Sequence, residues 1–213
     1  RFLPPLARGE KIGAFALTEA GSGSDAAAMK TTAIGTDGHY VLNGNKMFIT
    51  NAVEADTFVV MATRDPDLGS RGVVSLVMEK DTEGLTVNPL HGKMGMRATS
   101  AAELLFENCA VPEENRLGAQ DEGFRQTMEV LTASRIGIAA QCVGIARAAY
   151  EAAVSYAKQR EAFGRHIADF QAIQWMIADM ATNIDAARLM VRRAATLVDN
   201  GEPFVTEASM AKL

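Results

Sequence analysis

The residues from Thr18 to Asp25, Thr-Glu-Ala-Gly-Ser-Gly-Ser-Asp, are of the types that could hold an anion. Glycine lets a backbone pass close to a ligand or take a positive φ, and serine adds a hydroxyl with little bulk. Successive amides in such a turn can form a concave nest for a phosphate oxygen. An ordinary surface turn is the competing reading of the same string. A dinucleotide turn of the Rossmann kind does not fit. Asp25 to Lys30 leaves room for only about one or two turns of helix before a β-branched stretch starts at Thr31.

A second set lies at Lys46-Met47-Phe48-Ile49-Thr50-Asn51. On a regular strand Phe48 and Thr50 share one face, and Met47 and Ile49 the other. Phe48 in the core, with Thr50 present for β propensity, is the plain structural reading. Arg135 interrupts an apolar helical stripe and needs a partner if buried, for which an internal salt bridge is the simplest expectation. Arg160-Glu161-Ala162-Phe163-Gly164, followed by Phe170-Gln171, reads by default as a charged loop. Cys109 and Cys142, and His39, His91 and His166, are too scattered for a metal site or a Ser-His-Asp triad.

Two kinds of texture must position these residues. Ile12 to Leu17 reads as a buried strand preceding the Gly-Ser turn, and the prolines of residues 1–10 disfavour helix there. From Ile12 to about Val111 short β runs alternate with turn residues, including Asp37-Gly38, Asn43-Gly44, Asp65-Pro66, Gly69, Gly84 and Gly92. Asn43-Gly44 is the expected hairpin turn between Tyr40–Leu42 and Asn45–Thr50. Val73–Glu79 and Glu103–Val111 read as further strands, with Met94–Ser100 as a turn.

After Gly123 the period changes to between three and four. Phe124, Met128, Leu131, Arg135, Ile138, Cys142, Ile145, Ala149, Ala152 and Tyr156 mark one face of a helix of roughly 35 residues. It breaks near Phe163-Gly164, and Asp169 can cap the next helix. That helix carries Ile173, Ile177, Met180, Ile184, Ala187, Val191, Ala194 and Val198 on one face. Gly201 and Pro203 close it, and a third helix begins near Thr206. The expected fold is α+β and multidomain: an antiparallel β-barrel-like domain over residues 1–118, then an incomplete antiparallel helical bundle over 119–213.

The 213 residues are 48% hydrophobic and 22% charged, enough for a real core. Net charge is −5, with 11 basic and 15 acidic side chains in residues 1–118 and 10 and 11 in 119–213. That is no footprint for nucleic acid, and no apolar run approaches the ~18 residues of a membrane span. The two thiols fit a reducing compartment. Arg1 in place of Met suggests a fragment or a processed chain.

Ala16-Leu17-Thr18-Glu19, with Ser22-Gly23-Ser24-Asp25 two residues on, resembles the first signature of the flavin-dependent acyl-CoA dehydrogenases. Lys46–Asn51 and Arg160–Gln171 resemble two further stretches of that family, and the match runs over about residues 3–213. The resemblance implies FAD, with contacts from Phe15, Leu17, Thr18, Ser24, Phe48, Ile49 and Thr50. Phe48 would lie against the isoalloxazine, in place of the commoner tryptophan, and Thr50 would bond its N5. Arg160, Phe163 and Gln171 would reach the pyrophosphate and adenine end of the flavin of a neighbouring subunit. Ala162 stands where some members carry threonine. Ser24 and Arg135 would meet the acyl-CoA substrate.

The implied reaction is α,β-dehydrogenation of an acyl-CoA thioester. A carboxylate takes the α proton, a hydride leaves to the flavin, and an electron-transfer flavoprotein accepts the electrons. The implied assembly is a homodimer or homotetramer, in a bacterial cytoplasm or a mitochondrial matrix. The family's base is a glutamate either far along the helical domain or directly before the arginine matching Arg135. The second place is Ser134 here, so the base is expected beyond Leu213. A relative without dehydrogenase activity, of the alkylation-response or assembly-scaffold kind, and an acyl-CoA oxidase are the alternatives.

Overall fold

A computed structural model describes residues 1–213. The chain divides into two compact units, Arg1–Thr127 and Met128–Leu213, with the boundary inside a long helix.

The first unit opens with a short helix, α1 (Leu3–Ala7). The prolines predicted to prevent helix sit instead in its first turn, where an N–H has no intrahelical acceptor to lose. Seven strands follow: β1 (Gly13–Ala16), β2 (Thr32–Thr36), β3 (His39–Thr50), β4 (Thr57–Thr63), β5 (Val73–Glu79), β6 (Leu85–Pro89) and β7 (Ala101–Pro112). They form one sheet in the order β1-β4-β2-β3-β7-β6, with β5 on the other edge of β4. Most neighbours are antiparallel, while β4 runs parallel to β1 and, at Thr63, to β2. The barrel-like β domain followed by helices is the architecture expected.

β4 and β5 are buried almost throughout. Phe58, Val60, Leu76 and Met78 point into the main core with Leu42, Leu104 and Val111. Met61 and Val73 meet Met29 in a smaller cluster, where Leu17 and Phe124 are half-buried. β1 is less buried than the expected strand: Ala14 and Ala16 enter the core, and Phe15 faces outward.

Asn43-Gly44 is no hairpin turn. β3 runs straight through it, and the β2–β3 turn is Asp37-Gly38, where Gly38 has φ 76°. Glycine is needed at 44 for another reason. A Cβ there would lie 2.7 Å from the Thr31 Cα. Opposite, β7 bulges at Asn108 (φ 55°), whose backbone N–H donates to Asn43 Oδ1 at 2.9 Å.

The second unit carries most of α2 (Gly123–Gln159), then a two-stranded ribbon, β8 (Glu161–Ala162) and β9 (Arg165–His166), α3 (Gln171–Asp199) and α4 (Val205–Lys212). The ribbon turns at Phe163 and Gly164, with φ 53° and 75°, so the long helix ends before these residues. Asp169 does not cap α3. The N-cap is Phe170, without a side-chain bond.

The stripe expected on α3 is half-buried from Ile173 to Val191 and fully buried at Ala194, but its last member, Val198, is exposed. On α2 it is not the inward face beyond Arg135. Ile138, Ile145 and Tyr156 are exposed, while Ala139 and Ala157 are buried. α2 is apolar on more than one side, and periodicity does not say which side its own chain covers. By length and composition α2 could also cross a membrane, a test that many bundle helices pass.

Candidate functional site

The Thr18–Asp25 loop and the end of β3 lie together because main chain joins them. The Met47 N–H donates to the Thr18 carbonyl at 2.8 Å. The loop closes on itself through paired bonds between Glu19 and Ser22, and the Ser22 hydroxyl donates to the Asp25 carbonyl at 2.7 Å. Gly21 and Gly23 adopt no left-handed conformation, and a Cβ on either would meet nothing in this chain. Their smallness answers to no internal packing. It leaves an open backbone surface.

Beyond Met47, β3 bulges, with the register shifting between Lys46 and Ile49. Phe48 takes φ 61° there, a conformation that a bulky residue adopts only under constraint, and the residue is 67% exposed. The plain structural reading of Phe48 as a core residue therefore fails, and the residue is free to make the ring contact that the resemblance implies. Because of the bulge, Thr50 is also exposed while Ile49 is buried at 2%. Of the expected contacts, Phe48 and Thr50 reach the surface beside the loop, and the Ile49 side chain does not. Phe15 is partly exposed on β1, and Leu17 and Thr18 are half-buried where the loop begins. Ser24 is exposed.

What holds this arrangement is a pair that motif reading passed over, Glu19 and Lys46. Lys46 is fully buried, and its Nζ donates to Glu19 Oε1 at 2.8 Å and to the Leu17 carbonyl at 2.9 Å. Glu19 also accepts the N–H groups of Lys30 at 2.7 Å and Thr31 at 3.0 Å. Burial opposes ionisation of Glu19, but Lys46, Lys30 and Thr31 outweigh it and hold the carboxyl below the usual range. Burial draws the Lys46 ammonium below the usual lysine range, with Glu19 opposing. Both residues stood inside the quoted motifs. A charged residue at an inward strand position was the available signal.

The second group lies in the other unit. Arg160 is exposed after α2, and its carbonyl accepts the Ile167 N–H at 2.8 Å, closing the ribbon. Phe163 is 96% exposed at the ribbon's tip, edge-on to Phe170 with centroids 6.2 Å apart. Arg165 stacks over the Phe170 ring at 4.2 Å. Gln171, exposed, begins α3. Arg135 has no salt bridge. Half-buried, it donates to the Ser209 hydroxyl at 2.7 Å, so the internal ion pair expected for it is absent. The Ser134 hydroxyl donates to the Leu131 carbonyl at 2.9 Å.

The hydroxyls of Thr18, Ser24 and Thr50 and the Arg160 guanidinium bond to nothing else in the chain. An exposed aromatic beside uncommitted hydroxyls and an open Gly-Ser loop fits a flat heteroaromatic ring with a polar edge. A free guanidinium near an exposed aromatic fits a phosphate and a second ring.

The family model for the acyl-CoA dehydrogenase middle domain matches residues 14–109, and that for the acyl-CoA dehydrogenase C-terminal domain matches 121–213. The chain belongs to the acyl-CoA dehydrogenase family. It is 45% identical over 213 residues to the short-chain specific acyl-CoA dehydrogenase of Clostridium acetobutylicum, covering all of this chain and 56% of that protein. It is 45% identical over 212 residues to the caffeyl-CoA reductase-Etf complex subunit CarC of Acetobacterium woodii, with the same coverage. The butyryl-CoA dehydrogenase structure from Megasphaera elsdenii superposes with TM-score 0.95 at 43% identity, over 99% of this chain and 55% of that one. The chain thus spans about half the length of the curated relatives it matches. All the stretches quoted for the resemblance lie within the matched ranges.

Proposed function

We propose that this chain forms part of an FAD-dependent enzyme that acts on the α,β carbon–carbon bond of an acyl-CoA thioester. The observation that carries the reading is Phe48, exposed on a left-handed backbone at a bulge, with Thr50 beside it and the Thr18–Asp25 loop bonded alongside. A solvent-facing phenylalanine on a strained backbone gains nothing for the fold, and a stacked ring would use both features. FAD, when bound, supplies the hydride acceptor.

The residues here do the rest of the holding. Phe15, Leu17 and Phe48 offer apolar surface to the ring system, and the Thr50 hydroxyl offers a bond at its polar edge. Thr18, Ser24 and the open loop amides suit the chain leading to the phosphates. Arg160, with Phe163 and Gln171, suits the pyrophosphate and adenine end of a flavin carried by a neighbouring subunit, which implies a homodimer or homotetramer. Ser24 and Arg135 are the candidates for acyl-CoA contact. An electron-transfer flavoprotein is the proposed redox partner, in line with the Etf complex named for the Acetobacterium relative. The same relative's reductase name fits a hydrogen transfer whose direction is set by the partner. A bacterial cytoplasm or mitochondrial matrix goes with this reading, as do domain limits of 1–118 and 119–213.

The test is FAD retention by Arg160→Ala and by Arg147→Ala. Arg147 lies on exposed α2 surface, paired with Glu151 at 3.0 Å. The expected result is loss of FAD from the first variant and retention by the second. Equal retention overturns the two-sided flavin site.

A further inference from the structure

The Glu19–Lys46 pair touches no reacting atom in the scheme above, and it is costly to bury. Two charges taken out of water regain that cost only with well-placed partners, and an apolar pair of like volume often serves stability as well or better. Its value lies in what it joins. The Glu19 carboxylate gathers the start of the loop, the loop's exit at Lys30 and Thr31, and β3 at Lys46, with hydrogen bonds of 2.7 to 3.0 Å. Lys46 adds the Leu17 carbonyl at 2.9 Å.

On β3 the ammonium-bearing residue is also the last in register before the bulge that turns Phe48 outward. The next residue, Met47, bonds Thr18. One buried charge therefore pins both the loop and the point at which the strand leaves its register.

We propose that Glu19 and Lys46 are a positioning pair: they set the Thr18–Asp25 loop against the Phe48–Thr50 segment and so preorganise the flavin site before the cofactor arrives. This rests on the FAD reading of the preceding section. A pair that only added stability would leave the affinity of the folded protein for FAD unchanged. A positioning pair lowers it even where the protein is fully folded, since a site that must be ordered on binding loses affinity.

The decisive variant is the double change Glu19→Gln with Lys46→Met, which removes both charges, shortens only the lysine side chain, by one atom, and leaves no unpaired ion. The comparison is Leu76→Ala in β5, a fully buried core residue outside the loop. Two quantities are read under conditions in which both variants are fully folded: the Kd for FAD, and hydrogen exchange at the Lys30, Thr31 and Met47 amides without FAD. The double variant is expected to lose about tenfold or more in FAD affinity and to exchange those amides faster. Leu76→Ala is expected to stay within about threefold of the parent.

FAD affinity in the double variant within threefold of the parent overturns the proposal, as does unchanged protection of the three amides. An equal loss of affinity in Leu76→Ala also overturns it, by showing that general loosening is enough. A parent protein that holds no FAD overturns the flavin reading itself, a result distinct from the others.

Discussion

Phe48 and Ile49 are neighbours in the chain and opposites in environment, 67% and 2% exposed, because β3 bulges between Lys46 and Ile49. Their substitutions should separate binding from stability. Ile49→Ala is expected to cost about 2–5 kcal/mol in urea unfolding, as other buried truncations do. Phe48→Asn, which places a residue tolerant of φ 61° at an exposed site, should stabilise the FAD-free protein by up to about 1 kcal/mol. It should weaken FAD binding at the same time. A Phe48→Asn variant that is less stable and still binds FAD normally would return Phe48 to a structural role.

Glu19 predicts a pH dependence on the acid side. Its folded pKa lies below the ordinary 4.5. The stability it contributes is therefore fully present above the ordinary value and is lost as pH falls through the lowered one. Glu19→Gln leaves Lys46 buried without its counter-ion, so at neutral pH the deficit should be about 3–5 kcal/mol. The gap between parent and variant should close as the solution is acidified through that window, since the parent's carboxyl is then neutral too. Lys46 has a folded pKa below the ordinary 10.5, so its charged form weighs against folding until pH rises through the folded value. No alkaline weakening is expected from this pair. Urea midpoints across pH check both statements, and a gap independent of pH would show Glu19 is not the titrating group.

Thr50→Val keeps the shape of an exposed residue and removes a hydroxyl that has no partner in the chain. If that hydroxyl bonds the flavin ring, its loss should slow flavin reduction by substrate roughly threefold to tenfold, the equivalent of about 0.5–1.5 kcal/mol. Stopped-flow bleaching measures it in a longer form of the protein that includes the catalytic base. An unchanged rate would leave Thr50 without a role at the ring.

Residues 1–213 supplied with FAD and acyl-CoA esters of several lengths are expected not to bleach the flavin. Beside Arg135 stands Ser134, whose hydroxyl is engaged with the Leu131 carbonyl at 2.9 Å and has no base next to it. Such a group is unfit to take a carbon-bound proton. Bleaching at the rate of a longer form of the protein would show that a residue within this chain serves as base.

Local pattern determined a good deal by itself. The change of period after Gly123 located the long helix, and the α3 stripe predicted its inner face. The β runs located β5 and β7 to within two residues, because alternation and helical period are properties of contiguous residues. The short strings around Thr18, Phe48 and Arg160 were enough for the family. Contacts between distant residues were decided only by the tertiary structure. Asn43-Gly44 has the chemistry of a turn, yet β7 pairs across it and Thr31 crowds Gly44, so the strand continues. Phe48 leaves the core because pairing with β7 forces an extra residue into β3, which no alternation rule contains. α2 is apolar on more than one side, and only packing chose which side this chain covers. Glu19 and Lys46 stand 27 positions apart in the chain, and alternation hints at a buried charge on β3 without naming its partner. Burial makes them the joint of the candidate site, since a charge withdrawn from water must find its partner inside the fold.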